Sequence, residues 1–303
     1  MEKPRLWRRQ AMSANDNAAV VTAEPAPAAP EVEAWSGKGR GDENFPVGSW
    51  LIRADLRPHV HAFYSFARNA DDIADSAVLS PAEKIARLDI MEAVLTGARE
   101  AGAPSATRLR ACLAQSGVPS IHARELLQAF RQDAVQNRYA DWAGLMEYCR
   151  FSAAPVGRYV LDLHGERPDT WPASDALCAA LQVLNHLQDC AGDLRTLDRC
   201  YIPQDWMAEA TASTDDLARA ETVPAMRAVF NRMLAATAEL TRAARALPGL
   251  VQARRLRLET AIICGLARRL TAHLQGGDPL ASRVKLHKAD FAMAALAALG
   301  RAL

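Results

Sequence analysis

Ala62-Phe63-Tyr64-Ser65-Phe66-Ala67-Arg68-Asn69-Ala70-Asp71-Asp72-Ile73-Ala74-Asp75 is the stretch on which the reading of this chain turns. At about 100° per residue on a helix, Tyr64, Arg68, Asp71 and Asp75 fall in one stripe. The residues around them are Ala62, Phe63, Phe66, Ala67, Ala70, Ile73 and Ala74. So apolar a helix should be largely buried, and buried carboxylates need cations or hydrogen-bond donors. Here three carboxylates crowd into five residues with only Arg68 nearby. Like charges four residues apart cost a helix a few tenths of a kcal/mol, so the crowding calls for a reason.

The pattern occurs twice. In Asn185-His186-Leu187-Gln188-Asp189-Cys190-Ala191-Gly192-Asp193, Asp189 and Asp193 are again one turn apart. Gln182 and Asn185 extend their stripe backwards. One such pair fits a solvated acidic face. Two, on matched polar stripes of apolar helices, suit Mg²⁺, which prefers oxygen ligands and takes one or two carboxylates together with phosphate oxygens. Facing pairs could hold Mg²⁺ around a diphosphate and make it a better leaving group. Asp71, Asp75, Asp189 and Asp193 are the candidate ligands, with Asp72 supporting. Arg68 is placed to meet diphosphate oxygens, or else to pair with Asp72. Gln182 and Asn185 are candidates to orient diphosphate or metal-bound water. Tyr64 and Tyr148 could steady a carbocation through their ring faces. His186 lies near the second stripe, where a lone histidine is more often structural than catalytic. The absence of Glu-x-x-His argues against a di-iron bundle.

Composition agrees with helices. Half of the 303 residues are hydrophobic, 6% are aromatic, and Ala, Leu, Arg and Glu outnumber β-branched residues. This favours an all-α fold. Helices are expected near 53–76, 81–101, 105–116, 119–136, 141–165, 173–195, 223–246, 249–275 and 280–301, separated by Pro and Gly stop signals. Residues 1–42 are basic at the start and then rich in Ala, Pro and Glu. They read as a disordered tail before a single domain over 43–303. The net charge of +1 gives no electrostatic case for nucleic acid. No apolar run approaches the ~18–20 residues of a membrane span. Phe291 to Leu299 is apolar but too short to span; it could rest on a membrane, though packing on the protein is the expected arrangement. The six cysteines are scattered, with no Cys-x-x-Cys pair, and read as reduced thiols.

These residues resemble the squalene/phytoene synthase family from Glu43 onward. The first acidic motif matches as Asp71-Asp72-x-x-Asp75, preceded by Tyr64 and Arg68. The second matches as Gln182-x-x-Asn185-x-x-x-Asp189-x-x-x-Asp193, followed by Tyr201-Ile202-Pro203. Tyr148 to Gly157 resembles the family's tyrosine-to-glycine segment on a kinked helix, and Arg283-Val284-Lys285-Leu286 its late basic stretch. The resemblance implies a helical isoprenoid-synthase bundle around a deep apolar cavity, a Mg²⁺ cofactor and an isoprenoid diphosphate substrate. It adds Asn44, Phe45, Tyr201 and Arg283 to the substrate-binding residues, with Tyr201 closing over the diphosphate.

Glu43-Asn44-Phe45-Pro46-Val47-Gly48-Ser49 and Phe63 to Arg68 are most similar to the branch that makes hydroxysqualene from presqualene diphosphate in bacterial hopanoid pathways. That reaction needs water and no NADPH. Many family members carry Arg where Gln188 stands. Losing a bidentate phosphate donor suits a substrate with one diphosphate better than condensation of two. The rival readings are a presqualene diphosphate, squalene or phytoene synthase, and a non-catalytic assembly or binding relative. Five retained aspartates count against the last. So apolar a substrate and product imply a cytoplasmic protein at the inner membrane face, beside other pathway enzymes. The sequence leaves the oligomeric state open.

Overall fold

The computed structural model describes residues 31–33 and 51–302. Asn44, Phe45 and most of the expected tail lie outside the described residues. The exception is 31–33. Val32 is buried, and its N–H donates to Gly102 O at 2.9 Å. The Glu33 carboxylate accepts from Ser105 N at 3.0 Å and Ser105 Oγ at 2.6 Å, at the start of a helix. The expected tail is corrected at these three residues. A carboxylate on free N–H groups at a helix N-terminus is favourable, which composition could not register.

Helix follows helix: α1 (Arg57–Ala74), α2 (Pro81–Thr96), α3 (Pro104–Ser116), α4 (Ile121–Asp133), α5 (Trp142–Ser152), α6 (Ala154–Leu163), α7 (Trp171–Leu197), α8 (Gln204–Glu209), α9 (Pro224–Ala243), α10 (Leu247–Leu250), α11 (Arg254–Gly276) and α12 (Lys288–Ala302). Among the described residues the β pairing is one isolated bridge, Arg138 with Cys200. The fold is all-α. The helix starts follow local chemistry. Ser80 and Glu83 form a capping box on α2. Asp141 accepts from Gly144 N at 2.7 Å to cap α5. Gly97 and Gly117, at φ 83° and 74°, end α2 and α3 in the left-handed conformation.

Two of the expected helices are corrected. The one over 141–165 breaks at Ala153 (φ −123°, ψ −48°), because Pro155 lacks an N–H and its ring crowds the carbonyl four residues back. The one over 280–301 begins at Lys288. Asp278 accepts from Leu280 N at 2.9 Å, which holds the chain in a turn. Asp290 accepts from His287 N at 2.8 Å, which starts the helix only there.

Two apolar clusters form the interior. One gathers α1 to α4 with Tyr159 and Leu163 of α6, and includes Phe63, Phe66, Leu88 and Leu127. The other surrounds α7 with α5, α9 and α11, and includes Leu184, Leu187, Phe230 and Leu270. Phe63 stacks on Tyr159 with ring centroids 4.0 Å apart. Phe66 is fully buried, so both phenylalanines belong to the core. At 27 residues, α7 runs about 40 Å. Its half-buried residues Cys178, Leu181, Gln182, Asn185, Asp189 and Asp193 form a continuous face.

Candidate active site

That face of α7 changes character along its length. Its first half supplies Ser174, Leu177, Cys178 and Leu181 to a cavity of about 230 Å³, closed on other sides by Val156 and Val160 of α6 and Ile263 of α11. Its second half carries Gln182, Asn185, Asp189 and Asp193. The acidic end of α1 faces this polar half, tied to the chain just past α7 by Arg199, which pairs with Asp75 at 2.6 Å; the carboxyl of Asp193 is pushed up to about 7, first by burial and then by Asp189 and Asp75. The carboxyl of Asp71 is pushed up to about 8 by burial, then by Asp75, with Arg68 opposing and Asp133 and Asp72 adding to the rise. The two stripes read from the sequence therefore meet at one place.

Three arginines answer the acids. Arg68 pairs with Asp71 at 2.9 Å and Asp72 at 3.0 Å. Arg68 thus makes the Asp72 pairing that the sequence offered as the alternative to a diphosphate contact. Arg199 is buried and pairs with Asp75 at 2.6 Å. It also donates to Ala74 O at 3.0 Å and Asp133 O at 3.2 Å. Burial pulls its guanidinium down, but Asp133 and Asp75 more than offset this and hold it above its ordinary value. Arg283, on the loop before α12, meets Asp189 at 3.0 and 3.1 Å. The left-handed residue Asp198 (φ 52°) ends α7 and turns the chain so that Arg199 returns to α1.

Beneath the acids lies an aromatic group. Tyr148 donates to Asp133 Oδ2 at 2.8 Å and Tyr201 to Asp133 Oδ1 at 3.3 Å. Burial first, and then the charge of Asp133, hold both phenols well above their ordinary range. The Asp133 carboxyl is itself pushed up to about 6, mainly by burial. Both hydroxyls are engaged by Asp133, and the Tyr201 ring is covered by His186 and Tyr139. His186 stacks on Tyr201 at 3.6 Å. Burial, then the Arg199 charge, push it down to about 3, which leaves it neutral at physiological pH and favours its structural reading. Tyr64 stands half-buried one turn before Arg68 on α1.

Sequence reasoning missed Asp133 and Arg199. Asp133 was detectable as an acid in the buried register of α4, after Leu126 and Leu127. Arg199 stands two residues before the noted Tyr201-Ile202-Pro203. The reading of Gln188 also changes. It is buried, and its Nε2 donates to Val284 O at 2.5 Å, so this position fastens the basic loop to α7.

Among the described residues no three Asp, Glu, His or Cys side chains are gathered closely enough to hold a metal ion alone. The donor set is all carboxylate, and two of its members are raised by burial and then by neighbouring carboxylates. Such a set fits a hard divalent cation that completes its shell with phosphate and water oxygens.

The squalene/phytoene synthase family model matches residues 38–290. The chain belongs to that family. Among its members, a hydroxysqualene synthase of Rhodopseudomonas palustris is 46% identical over 264 residues, covering 87% of this chain and 90% of the relative. One of Sinorhizobium fredii is 48% identical over 246 residues, covering 81% and 84%. The solved squalene synthase HpnC of Alicyclobacillus acidocaldarius superposes with a TM-score of 0.69 at 30% identity, covering 78% of this chain and 90% of that one. In this squalene/phytoene synthase family chain the family motifs, read as residues, coincide with the recess built above.

Proposed function

We propose that this chain converts presqualene diphosphate and water to hydroxysqualene and diphosphate, on the route to squalene and hopanoids. The observation that carries the reading is the meeting of two acidic helix faces beside an apolar cavity. Relatives at 46% and 48% identity that bear the name hydroxysqualene synthase support it. Residues 43–303 act as one unit, because the two acidic faces lie on α1 and α7 and neither half contains the site.

Asp71, Asp72, Asp75, Asp189 and Asp193 hold Mg²⁺, which when bound neutralises diphosphate and lowers the barrier to its departure. Arg68 and Arg283 stand at the rim of the recess. Each can exchange a carboxylate partner for a phosphate oxygen, a charge-assisted bond of similar strength. Asn185 and Gln182 supply neutral amide donors between the acids and the cavity. The carbon–oxygen bond breaks heterolytically, and diphosphate keeps the electron pair. The ring faces of Tyr64 and Tyr148 favour positive charge nearby. The cavity walls exclude water until the cation has rearranged. Water then donates its oxygen lone pair to the rearranged carbon, and the resulting oxonium ion loses a proton. No hydride enters this balance, so no NADPH is consumed. Substrate and product are membrane-soluble, so the work is done at a cytoplasmic membrane face.

The test is product analysis by mass spectrometry with presqualene diphosphate and Mg²⁺, without NADPH, beside a tube holding only farnesyl diphosphate. Hydroxysqualene in the first tube alone supports the reading. Presqualene diphosphate or phytoene in the second moves the chain to the condensing branch.

A further inference from the structure

The last sixth of the chain differs in charge from everything before it. From Arg254 onward there are nine Lys and Arg against three acids, a balance of +6; the preceding residues carry 27 against 32, or −5, which together give the chain's +1. The fold then engages all three acids, burying two of them and half-burying Asp278. Glu259 is buried in the cavity wall. Asp278 accepts from Thr222 N at 2.8 Å and Leu280 N at 2.9 Å. Asp290 is buried between His287 N, His273 and Arg269.

On this cationic segment stands an apolar crest. α12 packs on α11 through Ala294 and Ala298, both 3% exposed. A Cβ added to Gly265 would come within 3.2 Å of the Ala294 Cβ, so the two helices approach closely there. The opposite side of α12 has no covering among the described residues: Met293, Leu296 and Leu299 there are 44%, 70% and 48% exposed, and Phe291, at the border of the packed side, is 36% exposed. They are four of the nine exposed large hydrophobic side chains among the described residues. The sequence expectation of packing on the protein holds for one face of α12 only. A helix of 15 residues, about 22 Å long, is too short to cross a bilayer, and no described helix is long and apolar enough to do so.

We propose that α12 is the membrane-docking surface of the enzyme, lying in the plane of a lipid surface that bears anionic headgroups. Apolar side chains on one face with exposed Lys285, His287 and Lys288 at the helix start are what an interfacial helix needs: burial of apolar area plus attraction to acidic lipid. A second copy docking through the same face would bring two +6 segments together, which disfavours self-association there. The same loop that carries Lys285 holds Arg283 on Asp189, so docking would set the diphosphate recess close to the headgroup layer. The proposal deepens the membrane-face reading above and rests on it only for the identity of the lipid cargo.

The experiment is vesicle flotation of the full chain with phosphatidylcholine alone and with an equal part of phosphatidylglycerol. Wild type floats with the mixed vesicles, and salt weakens it. Leu296→Glu with Leu299→Glu lowers partition at least about tenfold, given the transfer energy of two leucines. Lys288→Glu lowers it less. Ile121→Glu, an exposed hydrophobic on α4, leaves it unchanged. Turnover of substrate dispersed in detergent stays at the wild-type level in all three, which separates a failed docking surface from a failed reaction. Equal flotation of the double variant and wild type overturns the proposal. So does the absence of flotation, or a solution dimer in light scattering that the double variant dissociates.

Discussion

Asp71 and Asp193 are the acidic side chains of the recess that burial raises furthest, and their protonation sets how the site responds to pH. A carboxyl raised in the folded protein contributes stability that is present below its unfolded value and is lost as pH rises through the folded one. For these two groups the loss begins near the ordinary carboxyl value of 3.8 and is complete at about 7 to 8. Without metal, the melting temperature should therefore fall between pH 6 and pH 8. Both carboxyls must lose protons to bind a cation, so added Mg²⁺ with diphosphate should restore more stability at pH 8 than at pH 6. Thermal melts at the two pH values, with and without Mg²⁺ and diphosphate, check the sign; a larger gain at pH 6 would contradict it. Gln188 acts on the same recess from behind. Gln188→Ala removes the bond to Val284 O, worth about 1 kcal/mol, and loosens the loop that carries Arg283. We expect KM for the diphosphate substrate to rise severalfold while kcat changes little, read by steady-state kinetics. Unchanged KM would show that Arg283 finds its place without that tether.

Among the elements, α6 and α7 approach most closely at Gly157. A Cβ there would lie 2.4 Å from Ser174 Oγ and 2.7 Å from Cys178 Sγ, and all three residues line the apolar cavity. Gly157→Ala should push the helices apart at a cost of about 1–3 kcal/mol and lower turnover by distorting the cavity wall. Urea denaturation and activity measured together test this, and a variant as stable and active as wild type would mean the wall yields freely. The helical periodicity of α1 and α7 was legible, as were their polar stripes, because a turn of 3.6 residues brings i and i+4 together without help from the rest of the fold. The late start of α12 was not. It depends on Asp278 meeting Thr222, 56 positions away, and on Asp290 capping the helix. The break at Ala153 was legible only through the family's kinked segment, although Pro155 is its local cause.

At the scale of the molecule, Arg199 ties its parts together. One guanidinium joins Asp75 and Ala74 at the end of α1 to Asp133 at the end of α4. Arg199→Met should destabilise by about 3 kcal/mol, because it strands buried carboxylates. Arg199→Lys should recover little, since an ammonium cannot reach three acceptors in a fork's geometry. Chemical denaturation measures both, and full recovery by Lys would reduce the residue to a point charge. By itself the sequence determined the all-α class, the two acidic stripes and the family, since these rest on local periodicity and on motifs a few residues long. Only the tertiary structure decided that Asp133 lies beneath the site, that Arg199 closes it, that Gln188 holds the basic loop, and that the outer face of α12 is left uncovered by the other described residues. Each of those depends on which groups meet across tens of residues of chain, and burial and charge act on the groups that meet, whatever their separation in sequence.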